Sequence, residues 1–158
     1  KHNIEGLKYF LKNIFPKIIE KKPHIKLNCV GEICKNKFLE QRMNIITHGY
    51  QKNLSEFYQR SKIIINPVFN GVGVKVKTVE ALAHGSIVVT SQNGIEGIRD
   101  NVRGIAYVCE NDHSWETIIL KLLETDNLEL IRNKVTIWSN QFLNRSYIFK
   151  DVVNWIND

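Results

Sequence analysis

The residues of this chain best suited to chemistry lie together in 70-NGVGVKVKTVEALAHGSIVV-89. Gly71 and Gly73 let a backbone come close to a ligand. Lys75, Lys77 and Glu80 follow, inside an apolar pattern (Val76, Val79, Leu82, Ala83) that predicts a helix starting near Lys75 and stopping at Gly85. The first amides of a helix have no internal partners and attract anions, phosphate above all. Val74 cannot cap them. Without an anion, two lysines at the positive end of the helix dipole cost about a few tenths of a kcal/mol each. A phosphate held by the loop Gly71, Val72, Gly73, Val74 and by Lys75 and Lys77 accounts for both oddities. Glu80, one turn past Lys77, is then placed to accept from a sugar hydroxyl. A plainer arrangement fits the same residues: the glycines make a turn, and Lys77 pairs with Glu80 for only about 0.2–0.5 kcal/mol. The stretch is neither a dinucleotide fingerprint, since the third glycine is missing, nor a P-loop, since G-K-[ST] is missing.

Something must hold this loop, and the flanking periodicities say what. Residues 4–21 read as an amphipathic helix kinked at Pro16, and 25–31 as a buried strand. A short helix over 35–42 and a strand over 44–49 follow, then a helix over 53–61 capped by Asn53 and a strand over 62–67 closed by Pro67. Beyond the central helix come a strand over 86–91, a glycine-containing loop, and an edge or final strand over 104–109. A helix around Trp115–Leu123, capped by Asn111 or Asp112, precedes two more over 127–143 and 146–157. Short apolar strands alternating with helices predict an α/β fold. It is a doubly wound, Rossmann-like parallel sheet with helices on both faces. Ligands of such sheets sit at the carboxyl ends of the strands, so the loops 31–35, 47–53, 66–75 and 91–98 are the ones to inspect.

The bulk numbers narrow the class. A chain of 158 residues predicts one domain with a sizeable core. Cys29, Cys34 and Cys109 are odd in number and lack C-x-x-C spacing, which argues for reduced thiols rather than a disulfide framework or a zinc site. Residues 1–37 hold nine lysines against Glu5, Glu20 and Glu32, and so carry the whole formal charge of +6. That segment is either a solvated helix face or a surface for peripheral contact with an anionic membrane. Nucleic acid is not expected as a partner, because no basic motif with interleaved aromatics occurs.

The stretch 53-NLSEFYQRSKIIINPVFNGVGVKVKTVEALAHGSIVVTSQNGIEGI-98 resembles the carboxy-terminal, donor-binding domain of the "group 1" glycosyltransferases of the GT-B fold. The likeness rests on the G-x-G-x-[KR]-x-K-x-x-E-A-[LM]-A-x-G loop and helix, followed by a strand and a G-x-E-G turn. The segment 3-NIEGLKYFLKNIFPKIIEKKPHIKLNCVG-31 resembles the first helix and strand of that domain. The resemblance implies that Gly73, Lys75 and Lys77 hold the diphosphate of a nucleotide sugar and that Glu80 binds its ribose. It puts His48, Gly49 and Tyr50 near the base, with Gly31 and Glu32 lining the same side. Gly94 and Glu96 would approach the sugar or the diphosphate. Val72 departs from the pattern, since many members have a sugar-contacting glutamate there.

The chemistry implied is glycosyl transfer, with Lys75, Lys77 and the helix amides stabilising the departing nucleoside diphosphate. No cofactor is expected beyond the nucleotide sugar itself. No metal is expected either, because D-x-D and other convincing ligand spacings are missing. The expected partners are the nucleotide sugar and an acceptor held by an amino-terminal domain that lies outside these residues, 1–158 being the donor-binding domain alone. Retention of configuration, inactivity of the isolated domain, and a cytoplasmic location, peripheral on the inner membrane face, complete the expectation. The alternatives are a non-catalytic module for nucleotide sugars, partners or membranes, and a nucleotide-sugar epimerase. His84, beside Gly85, is expected at the surface.

Overall fold

A computed structural model describes residues 2–39, 42–98, 102 and 104–143. The helix expected over 146–157 therefore falls outside the described residues. The opening segment forms α1 (His2–Asn13) and α2 (Phe15–Lys21), not one kinked helix. The break falls at Ile14, and Pro16 lies in the first turn of α2, where a missing N–H leaves no bond unmade. The strands β1 (Leu27–Cys29) and β2 (Ile45–Thr47) pair in parallel. Between them, 3₁₀ turns at Glu32–Lys35 and Lys37–Leu39 replace the α-helix expected over 35–42.

The second ladder is built from β3 (Ile64–Asn66), β4 (Val88–Ser91) and β5 (Ala106–Cys109), also parallel, in the order β3-β4-β5. The helices α3 (Ser55–Arg60), α4 (Val76–Ala83), α5 (Asp112–Glu124) and α6 (Leu128–Phe142) complete the chain. Asn111 caps α5, its Oδ1 accepting from the Ser114 amide at 2.9 Å. Asn53 is one residue further from its helix than expected: its Oδ1 accepts from Ser55 N at 2.9 Å, in a turn leading into α3.

Side-chain alternation along β4 explains the layers. Ile87 and Val89 join a core with α1, α2 and α5, whereas Val88 joins a second core with α3, α4 and α6. A strand buried on both faces has no need of polar alternation, hence the unbroken 87-IVV-89. Among the described residues no backbone ladder joins β1 to β3, so the expected single sheet is two parallel ladders sharing one apolar core. Strands of three residues offer few ladder bonds, and packing of Leu27, Ile63 and Ile65 holds the seam instead.

Part of the basic opening segment is neutralised locally. Lys21 pairs with Glu116 at 2.8 Å, Lys22 with Glu124 at 2.7 Å and Lys35 with Glu32 at 2.6 Å. Among the described residues no helix is long and apolar enough to cross a membrane.

The thiols make the packing testable. Burial pushes the Cys29 thiol up to about 11 and that of Cys109 up to about 12. At pH 8 roughly one Cys29 in a thousand is then a thiolate, and it is enclosed as well. Cys34 is only half-buried, its Sγ donating to the Cys29 carbonyl at 3.0 Å. An aromatic disulfide reagent at pH 8 should label Cys34 first, and Cys29 and Cys109 only as the chain unfolds. Equal rates at all three would contradict this packing.

Candidate functional site

The Gly-rich loop leaves β3 at Asn66–Pro67 and enters α4 at Lys75. No side chain caps α4, and its first amide bonds run from Thr78 N and Val79 N to the Lys75 carbonyl, at 2.8 and 3.2 Å. The amides of Val76 and Lys77 precede those bonds, which is the anion-seeking end of a helix.

The two lysines are used differently. Lys75 turns back over its own loop, donating to Gly73 O at 2.7 Å, Gly71 O at 3.1 Å and Glu96 Oε2 at 3.0 Å. All three ammonium protons are spent inside the protein, and the side chain is only 12% exposed. Lys77 is exposed, and among the described residues it forms no ion pair. The i,i+3 pair with Glu80 does not form. Glu80 instead accepts from the Tyr58 hydroxyl at 3.2 Å through Oε2. Burial, with the nearby Glu80 charge, pushes the Tyr58 hydroxyl well above its usual range, so it stays a donor at neutral pH. His84 is half-buried rather than at the surface, its ring stacked on Tyr58 with centroids 5.0 Å apart.

A residue that sequence reasoning passed over fixes this arrangement. The Thr78 hydroxyl, fully buried, accepts from Asn66 Nδ2 at 2.8 Å and donates to Gly94 O at 2.7 Å. Thr90 Oγ1 donates to the Asn66 carbonyl at 2.8 Å, and Ser91 Oγ donates to Val68 O. These bonds join the end of β3, the first turn of α4 and the Gln92–Ile95 turn. The signal in the sequence was a polar β-branched residue on the apolar face of α4, four before Leu82.

The network brings the 94–97 turn onto the Gly-rich loop. A Cβ on Gly94 would lie 1.7 Å from Thr90 Oγ1, and one on Gly97 2.7 Å from Val74 Cγ2. Gly94 is buried, Glu96 meets Lys75, and Val72 and Val74 stand exposed on the loop, at 95% and 55%.

The base-side candidates form a second group. The Gly31 amide donates to Gly49 O at 2.6 Å, which ties together the carboxyl ends of β1 and β2. The His48 ring is pinned by Asn28, with Nε2 to Oδ1 at 2.8 Å, and meets Phe57 edge-on at 4.8 Å. Tyr50 is 75% exposed, and Glu32 is exposed beside Lys35.

Between the two groups lies a cavity of about 240 Å³ at the carboxyl end of the β1–β3 seam. Lys77, Glu80 and Asn66 line one wall; Val30, Ile33 and Phe57 line the other. Of the residues singled out from sequence, Lys77 and Glu80 line it directly, while the rest shape the surrounding loops. Among the described residues no group of three metal-ligating side chains occurs.

A phosphate-seeking helix start, a cation and a carboxylate on one cavity of a parallel α/β fold invite comparison with known proteins. The family model described as "Glycosyl transferases group 1" matches residues 1–125. The chain belongs to that family. A curated relative in Klebsiella pneumoniae, an "Uncharacterized 44.6 kDa protein in cps region", is 33% identical over 122 residues, covering 70% of this chain and 31% of the relative. The solved structure of WaaG, a glycosyltransferase involved in lipopolysaccharide biosynthesis, superposes with a TM-score of 0.63 at 15% identity, over 83% of this chain and 40% of its own. The chain thus spans about a third (31%) of the Klebsiella pneumoniae relative and shares a Rossmann-like, GT-B-type fold with the solved transferase.

Proposed function

We propose that this chain is the donor-binding part of a glycosyltransferase that takes a nucleoside-diphosphate sugar and passes the sugar to a glycan or lipid acceptor. The observation that carries this reading is the uncapped start of α4, which presents unused amides and the unpaired Lys77 beside Glu80 on one cavity. As the glycosidic bond to phosphate breaks, negative charge grows on the departing diphosphate. Helix amides and a cation already in place stabilise that charge without reorganising. Lys77 contacts the phosphates directly; Lys75 shapes the loop and reaches a phosphate by exchanging one of its carbonyl partners. In this reading the charge needs no metal ion. Glu80, held by Tyr58, accepts from a ribose hydroxyl. The acceptor sits on an amino-terminal domain, and the exposed Lys8, Lys12, Lys17 and Lys37 suit an anionic membrane. The cps-region relative supports a polysaccharide or glycoconjugate product, and the family resemblance supports retained configuration.

Titrating the 158-residue chain with uridine, adenosine and guanosine diphosphates tests the reading. At least one should bind with a Kd below the millimolar range. Glu80→Gln keeps an acceptor for the Tyr58 hydroxyl but removes the charge. It should weaken that nucleotide at least tenfold, in line with roughly 1.5–3 kcal/mol for a charged hydrogen bond, and leave its 2′,3′-dideoxy analogue unaffected. No binding by any of the three nucleotides overturns the donor assignment. An equal loss for the dideoxy analogue removes the ribose role alone.

A further inference from the structure

A second cavity, of about 570 Å³, opens into the β1–β3 seam from the opposite end, where β1 and β3 begin. Its walls are mostly apolar (Phe15, Ile18, Leu27, Ile65, Ile119 and Leu123), with Asn28 and Ser61 as their uncharged polar members. Its mouth is cationic, with Lys22, Lys26, Arg60 and Lys62, and no acidic residue lines it. Lys22 pairs with Glu124 at 2.7 Å and Arg60 with Glu56 at 2.8 Å. Lys26 donates to the Met43 carbonyl at 3.0 Å, and Arg132 donates to the nearby Ser61 carbonyl. Lys62 has no ion pair among the described residues. The mouth therefore sets four cations against two carboxylates.

Such a volume lies within the range of small-molecule sites, about 300–1,000 Å³. Away from Asn28 and Ser61 the walls give water few partners, so the inner part of the cavity favours a hydrocarbon occupant. The cations at its mouth favour an anionic group and desolvate little there. One molecule satisfies both only if it joins an apolar chain to an anionic head. We propose that the amino end of the β1–β3 seam binds a single-chain anionic amphiphile, its acyl or isoprenoid chain between α2, α5 and the strands and its phosphate or carboxylate at Lys26 and Lys62. The site meets the Lys77–Glu80 cavity along the seam, where Phe10, Leu27, Asn28, Ser61, Ile64 and Ile65 line both, but its cationic mouth lies at the other end and does not depend on the donor reading.

Dodecyl phosphate, below its micelle concentration, is the probe, followed by calorimetry on the 158-residue chain. It should bind one to one, and each methylene removed, down to octyl phosphate, should weaken binding about fourfold. Dodecanoate reports whether a carboxylate head serves as well as a phosphate. Inorganic phosphate and dodecyltrimethylammonium should bind at least tenfold more weakly. The double change Lys26→Glu, Lys62→Glu, at exposed positions, should lower affinity at least tenfold with an unchanged circular dichroism spectrum. Ile65→Trp, which fills the cavity, should abolish binding; if that variant does not fold, the charge pair decides. Equal binding of the trimethylammonium surfactant, no effect of the charge reversal, or displacement by a nucleoside diphosphate would overturn the proposal.

Discussion

Lys77→Ala should weaken nucleoside diphosphate binding by about 10- to 150-fold while leaving the fold intact or slightly firmer. The loss follows from removing a charge-assisted hydrogen bond to phosphate, worth roughly 1.5–3 kcal/mol. The sign on stability is opposite because a cation at the start of α4 opposes the helix dipole by about a few tenths of a kcal/mol. Lys75→Ala makes the contrast. Its ammonium holds Gly71, Gly73 and Glu96, so its removal should lower the melting temperature and loosen the 71–74 loop. Calorimetric titration with nucleoside diphosphates, paired with thermal melts of both variants, separates the two roles. Lys77→Ala with unchanged affinity, or with a melting temperature as depressed as that of Lys75→Ala, would remove Lys77 from the site.

Much of this was legible in the sequence because each local signal agreed with the next. Unbroken apolar strands, an apolar helical face ending at Gly85, and an absent cap after Gly73 all belong to a parallel α/β unit with an uncapped helix start. What the sequence did not reveal was how cations divide labour. Spacing alone makes Lys75 and Lys77 equivalent, but they lie two residues apart on a helix start and so point in different directions. One side chain folds back onto its loop, and the other stays free at the cavity. The split of the sheet at β1–β3 was equally hidden. Strand propensity says where a chain extends, not which edges meet, and pairing there depends on side chains from α1 and α5 that pack against the seam. Asn66, too, read as the end of a strand before proline, when its side chain is a buried donor to α4.

The Asn66–Thr78–Gly94 link gives the largest expected loss of stability. Thr78→Val keeps the shape of the side chain and deletes only its hydroxyl. Asn66 Nδ2 then has no acceptor and Gly94 O loses its donor, both in a fully buried setting. Each unsatisfied group costs about 1–3 kcal/mol, so a loss of about 2–5 kcal/mol is expected. Against a typical total of about 5–15 kcal/mol that is a large share. Thr78→Ser keeps the hydroxyl and loses one methyl, for about 1 kcal/mol. Asn66→Ala removes the orphaned donor in advance, so Asn66→Ala with Thr78→Val should cost less than the sum of the two. Urea denaturation of the parent and the four variants measures all of this. The same link sets where α4 begins relative to the 94–97 turn, so Thr78→Val should also weaken nucleoside diphosphate binding at temperatures well below its melt. A Thr78→Val chain within about 0.5 kcal/mol of the parent, the range of ordinary surface changes, would mean that packing rather than this hydroxyl holds the loop to the turn.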